Sequence, residues 1–174
     1  MLNTATSYLA MLQEDDLEIK SHVLDKLNQL VDEYWAEISD YVPNLQSLFN
    51  KKELPEKQNL IALILSKIYY NLEDYDSAID WGLEAGEMFN ILERSQYINT
   101  ILKKIIEKYV SIRKHNFFNE EKIELDEKIK RIVERIFTKC LENKEVNQAI
   151  GFSLESYDLD RVIYIFIYIL IHFS

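Results

Sequence analysis

The sequence is poor in the residues that shape turns, cross-link chains or bind nucleic acid. It contains three Gly and two Pro in 174 residues. Turn-rich all-β folds need more of both, so the composition predicts an all-α protein. The single cysteine, Cys140, excludes an internal disulfide and a cysteine-based zinc site. Its helical spacing in FTKCLEN predicts a core position.

Basic residues are outnumbered, with 20 Lys and Arg against 30 Asp and Glu, which gives a net charge of −10. Such a chain lacks the basic stripe that displaces counterions from nucleic acid, and its acidic surface suits solubility or basic protein partners. The amino terminus lacks the basic start and apolar run of a secretory signal. We therefore expect an intracellular, soluble protein without nucleic-acid or membrane partners.

Apolar residues make up 48% of the chain, enough for one domain with a real core. Their spacing of three or four predicts amphipathic helices. Thr4 or Thr6 is expected to cap the first helix, Asp15 or Asp16 the second, and Ser95 a later one. Polar residues 115–124 are expected to form a flexible loop. The predicted helical segments are 4–13, 16–40, 44–50, a hairpin over 56–90, 95–114, 125–142 and 146–155.

The stretch 62–90 organises the rest of the chain. Its apolar residues lie at helical spacing on both sides of Asn71–Asp74, which contains the residue types that end one helix and cap the next. Gly82 costs about 1 kcal/mol in a helix interior relative to Ala. It is therefore better explained by close packing against the other small residues of the hairpin. These are Ser66, Ala78 and Ala85.

Two patterns indicate repetition. Residues 75–85 (YDSAIDWGLEA) align with residues 146–156 (VNQAIGFSLES) at an offset of 71. The hairpin also resembles a tetratricopeptide repeat, from which it departs at Ala62 and Gly82. The sequence therefore predicts a right-handed stack of helical hairpins, a tetratricopeptide-like α-solenoid. The positions that carry the resemblance are Leu65, Ser66, Tyr69, Tyr75, Ala78 and Ala85.

No catalytic constellation is present. The sequence has no Gly-rich phosphate loop, GxSxG or HExxH motif, and His22, His115 and His172 are isolated. The acidic cluster Glu14–Asp15–Asp16–Glu18 lacks the spacing and glycine of an EF-hand. Tyrosines at inward spacing and the two tryptophans are expected to pack in the core or face a partner. We predict no catalytic, cofactor-binding or metal-binding residues, no cofactor and no small-molecule substrate; the aromatic residues are Trp35, Tyr69, Tyr75, Trp81 and Tyr97.

Three stretches together resemble one known family. They are KLNQLVDEYWAEISD (26–40), ALILSKIYYNLEDYDSAIDWGLEAGEMFN (62–90) and NQAIGFSLESYDLD (147–160). The family is the larger proteasome/cyclosome-repeat scaffold subunit of the 26S proteasome regulatory particle base, non-ATPase regulatory subunit 1. The resemblance runs from about Tyr8 to Val162 and weakens at 50–56 and 114–124.

The resemblance implies an amino-terminal helical rod domain, residues 4–162. It implies a structural, non-enzymatic scaffold role in ubiquitin-dependent protein degradation, in the cytoplasm and nucleus, through contacts with other regulatory-particle subunits. The Ile-rich tail, residues 163–174, is too short to span a membrane. We expect it to be foreign to the family, the product of a frameshift or a retained intron, and the chain to be a fragment. The alternative function is a free tetratricopeptide-like adaptor that binds a peptide or helix in a groove.

Overall fold

Helices dominate the structure, a computed structural model that describes residues 5–172. Within that range it contains nine α-helices, two short 3-10 turns and no strand, so the all-α prediction is confirmed. The 3-10 turns are Pro55–Lys57 and Gly86–Met88. The helices are α1 (Ala5–Met11), α2 (Leu17–Ser39), α3 (Val42–Lys51), α4 (Gln58–Asn71), α5 (Tyr75–Glu84), α6 (Gln96–Phe118), α7 (Glu127–Glu142), α8 (Val146–Glu155) and α9 (Leu159–His172).

Helix starts follow local chemistry closely. The Asp16 carboxylate accepts hydrogen bonds from the amides of Glu18 and Ile19, which caps α2. The Ser95 hydroxyl oxygen accepts one from the amide of Ile98 at the start of α6. Both caps were expected, because these side chains satisfy amides that have no partner inside the helix. Of the two caps expected for α1, Thr4 lies outside the described residues, and Thr6 lies inside the helix (Ala5–Met11).

Three turns share one geometry. The α4–α5, α7–α8 and α8–α9 turns each place a non-glycine residue at positive φ: Glu73 at 61°, Lys144 at 62° and Tyr157 at 54°. In each turn the next amide donates to a carbonyl five residues earlier, the pattern that closes a helix end through a left-handed residue. These amide–carbonyl pairs are Asp74–Tyr69 at 3.0 Å, Glu145–Cys140 at 2.8 Å and Asp158–Ser153 at 2.9 Å.

The described chain divides into two compact units between Ile101 and Leu102. In unit 1 the core lies around α4, of which eight residues are buried. Phe49 of α3 packs against this core and meets the Trp81 ring of α5 edge-on, with ring centres 5.0 Å apart. In unit 2 the fully buried Ile165 of α9 belongs to a smaller cluster with residues of α7 and α8. These are Phe137, Leu141 and Ala149.

Hairpin 1, formed by α4 and α5, is held closely by small residues, as the sequence predicted. The fully buried Ser66 hydroxyl donates to the Ala78 carbonyl at 2.5 Å. A Cβ on Gly82 would lie 3.2 Å from Ser66 Oγ and 3.4 Å from the Phe89 ring. No larger side chain fits at Gly82 without moving that hydroxyl, so close approach explains the glycine.

Several boundaries differ from the prediction. Helix α6 continues to Phe118, so the loop is shorter than 115–124. Its end is fixed by Asn116, whose side chain exchanges two 2.8 Å hydrogen bonds with the backbone of Ile123.

Cys140 is only half-buried at the edge of the unit 2 core, and burial raises the pKa of its thiol. Of the tyrosines expected inside, Tyr97 is buried, whereas Tyr69 and Tyr75 are half-buried.

Candidate interaction surfaces

The ionisable residues considered as sites do not converge. Across residues 5–172, no group of three or more His, Cys, Asp and Glu side chains could hold a metal ion. His22 is exposed on α2, and the His115 ring lies 3.2 Å from the Glu121 carbonyl in the loop after α6. The side chain of His172 lies outside the described part. In the acidic cluster, Asp16 acts as a helix cap.

The last described helix, α9, has an exposed apolar face. The predicted tail is helical in its described part, because α9 runs from Leu159 to His172. Ile165 is fully buried, whereas Leu170 is 67% and Ile171 70% exposed. Exposed apolar patches of this kind mark contact sites on soluble proteins. We define the α9 apolar face as the exposed residues Leu159, Ile163, Tyr164, Phe166, Ile167, Leu170 and Ile171.

The opposite side of α9 is anchored by Arg161. Its guanidinium carbon lies 5.1 Å from the Phe137 ring centre, 5.7 Å from Tyr109 and 5.8 Å from Phe152. Stacking on aromatic rings and pairing with carboxylates are the interactions that guanidinium makes best. Arg161 Nε lies 3.3 Å from Asp158 Oδ2, and the guanidinium also pairs with Glu134. One side chain therefore joins α6, α7 and α8 to α9.

The arginines near Tyr109 affect the pKa of its hydroxyl. Burial raises the pKa of Tyr109, and the nearby Arg161 and Arg113 guanidinium groups oppose that rise. Arg113 also lies 3.5 Å from Asp158 Oδ2 and donates to the Ser156 carbonyl at 3.4 Å. These contacts of Arg161 could not be predicted from the sequence, because the residues involved are distant along the chain. Only the single cation before the apolar tail could have suggested them.

Aromatic side chains form a second exposed cluster in unit 2. Phe117 and Phe118 end α6 and are 58% and 63% exposed. Tyr157 stacks on Phe117 with ring centres 4.8 Å apart and meets Phe118 at 5.2 Å. These ring contacts offset the conformational cost of Tyr157, whose φ is positive.

No described helix is both long enough and apolar enough to cross a bilayer. Helix α9 has 14 residues, whereas a spanning helix needs about 20.

Comparison with known proteins decides the family. The model of the 26S proteasome subunit RPN2 N-terminal domain matches residues 3–169. The chain belongs to this family. The match to the family model continues past Val162 into the Ile-rich tail. That the tail is foreign to the family stays a prediction.

Individual relatives agree with the family match. The chain is 41% identical over 159 residues to the 26S proteasome regulatory subunit RPN2 of Eremothecium gossypii. It is 37% identical over 165 residues to RPN2 of Saccharomyces cerevisiae, and 38% over 162 residues to the 26S proteasome non-ATPase regulatory subunit 1 of Dictyostelium discoideum. These alignments cover 91–92% of the chain but only 16–17% of each relative's length.

Proposed function

We propose that the chain is a structural, non-enzymatic scaffold segment of the 26S proteasome regulatory particle. Its main support is the family match over residues 3–169, together with relatives that are named as proteasome regulatory subunits. The scaffold supports ubiquitin-dependent protein degradation in the cytoplasm and nucleus, through contacts with other regulatory-particle subunits.

The α9 apolar face is the proposed contact surface for these subunits. It presents seven large apolar side chains on a single helix. Burying each half-exposed Leu, Ile or Phe contributes on the order of 1 kcal/mol, so the face could hold a neighbouring helix. The contacts of Arg161 and the burial of Ile165 keep α9 in place while that face stays exposed.

The test is co-purification of the tagged chain from Saccharomyces cerevisiae cells, with regulatory-particle subunits quantified by mass spectrometry. We expect enrichment of these subunits over an untagged control. The double substitution Ile163→Asp/Ile167→Asp places two charges on the α9 apolar face, and it should lower the recovery about tenfold or more.

The matched control is Met88→Asp/Leu92→Asp, which charges two exposed apolar residues of unit 1. It should leave the recovery unchanged, and circular dichroism should show equal helix content for all variants. No enrichment of proteasome subunits would refute the scaffold role. Capture of a peptide-bearing protein without those subunits would favour the adaptor.

A further inference from the structure

Two grooves flank the first turns of α2 in unit 1; together we name them the N-terminal grooves. One has a volume of about 530 Å³ and the other about 440 Å³. Glu18 and His22, one helical turn apart, line both grooves and form the ridge between them. The first groove is lined by Met11, Glu14, Glu18, Ile19, His22 and Val23.

Apolar side chains are exposed in both grooves. Met11 is 46%, Leu17 45% and Ile19 39% exposed, and all three line the N-terminal grooves. The buried Val23 also lines the first groove. Isolated exposed apolar residues are normal on a protein surface, whereas apolar residues grouped in adjoining grooves are typical of contact sites.

The carboxylates that line the grooves give the lining negative charge. Five carboxylates line the N-terminal grooves, and neither lining includes a Lys or Arg. Two of the five are neutralised from outside the lining. Lys20 Nζ lies 3.3 Å from Glu53, whose pKa it lowers, and Lys57 Nζ lies 2.6 Å from Asp25. The other three, Glu14, Glu18 and Glu56, form no ion pair within residues 5–172.

We propose that the N-terminal grooves bind a basic amphipathic helix of a partner protein. Apolar side chains of that helix enter the grooves, and its Lys or Arg side chains pair with Glu14, Glu18 and Glu56. A helix presents both kinds of side chain because residues three and four apart share one face. Charge complementarity selects this occupant, since an acidic peptide, nucleic acid or an anionic membrane would be repelled.

This binding does not depend on the proposed function. The grooves are built from residues of unit 1, whereas the scaffold contact is assigned to α9 in unit 2. A chain that fails to enter proteasomes could still bind the basic helix, so the two experiments fail separately.

The experiment measures binding of a fluorescein-labelled peptide of about 18 residues, five helical turns, by fluorescence anisotropy. The peptide has Leu at positions i, i+3, i+4 and i+7 and Lys elsewhere. We expect saturable binding that weakens at least threefold between about 50 and about 300 mM NaCl, because salt screens exposed ion pairs. In NMR spectra, the His22 ring signals should shift with bound fraction.

Two variants locate the site. Glu14→Gln/Glu18→Gln removes two unpaired carboxylates and should weaken binding about three- to tenfold. Its control, Glu33→Gln/Glu87→Gln, makes the same charge change at exposed sites outside the grooves. It should leave the affinity for the peptide unchanged. Ile19→Ser should weaken binding, while Leu92→Ser, at another exposed apolar residue, should not.

Several outcomes overturn the proposal. One is equal binding of a scrambled peptide of the same composition, which would show mere attraction to an acidic chain. Equal binding of a peptide with Glu in place of Lys would remove the charge argument. Absence of binding, or unchanged affinity in both groove variants, would exclude the N-terminal grooves.

Discussion

Hairpin 1 (α4–α5) and hairpin 2 (α7–α8) share a turn geometry and have similar sequences in their second helices, but those helices are unequally buried. Helices α5 and α8 have ten residues each and start 71 positions apart. Four residues of α5 are buried, compared with two of α8. At the matched leucines, Leu83 is 9% exposed and Leu154 is 53% exposed. The repeat therefore specifies the hairpin, while its surroundings decide how much of the hairpin is covered.

The two hairpins also satisfy one carbonyl in different ways. In hairpin 1 the Ala78 carbonyl accepts a hydrogen bond from Ser66 on the other helix. In hairpin 2 the matched Ala149 carbonyl accepts one at 2.8 Å from Ser153, which lies on the same helix at the position of Gly82. A hydroxyl that joins two helices restrains their spacing, whereas one that bonds within its own helix does not.

The largest difference in stability between the two hairpins is expected when the matched leucines are replaced by alanine. Leu83→Ala should lower the free energy of unfolding by about 2–4 kcal/mol, because it removes buried methyl groups and leaves a cavity. Leu154→Ala should change it by less than about 0.5 kcal/mol, as exposed substitutions do. Urea unfolding followed by circular dichroism measures both. A similar loss for Leu154→Ala would show that this side chain is covered in solution.

The second difference in stability is expected between the Ser66→Ala and Ser153→Ala variants. Ser66 accepts a hydrogen bond from the buried Tyr97 hydroxyl, with 2.6 Å between the oxygens. Ser66→Ala should therefore cost about 1–3 kcal/mol, since it leaves the phenol without that partner. Ser153→Ala should cost no more than about 1 kcal/mol. In the double variant Ser66→Ala/Tyr97→Phe the loss should be smaller than in Ser66→Ala alone; an additive loss would contradict the coupling.

Alkaline pH should weaken hairpin 1 through the same phenol. Burial raises the pKa of Tyr97 above its usual 10.0, so the folded chain keeps a proton that the unfolded chain loses. This contribution is complete below pH 10 and falls by about 1.4 kcal/mol per pH unit above it. Melting temperatures between about pH 9 and about pH 11.5 should fall less steeply in Tyr97→Phe than in the parent chain. Parallel curves would exclude Tyr97 as the source.

The smallest expected effect separates two helical glycines. A Cβ added at Gly151 of α8 would have no non-local atom within 4 Å, so Gly151→Ala should stabilise by about 0.5–1 kcal/mol through helix propensity. Gly82→Ala should destabilise instead, because Ser66 Oγ is held by two hydrogen bonds and cannot move away. Thermal unfolding compares them. A stabilising Gly82→Ala would mean that hairpin 1 is looser than the structure shows.

Much of the local structure could be predicted from the sequence. Asp16 and Ser95 cap helices as expected, and the 71-residue repeat reproduces the bounds of α5 and α8. These features depend on neighbouring residues alone. The positive φ angles of the turn residues Glu73 and Lys144 were not predicted, since glycine is the usual signal at such positions. The proposed right-handed stack of hairpins stays a prediction.

The interaction surfaces could be predicted from the sequence only in part. The apolar tail was visible as a composition change, but which of its residues are buried depends on packing against α7 and α8. The N-terminal grooves combine residues of α1, α2 and the segment before α4, and their charge depends on which carboxylates meet a lysine.

By itself, the sequence determined an acidic, all-helical chain, its main caps and its repeated hairpin, because these follow from composition and from contacts within a few residues. Only the tertiary structure decided that Leu83 is covered and Leu154 exposed, and that Arg161 reaches three aromatic rings. The physical reason is that burial and ion pairing depend on side chains brought together from distant parts of the chain.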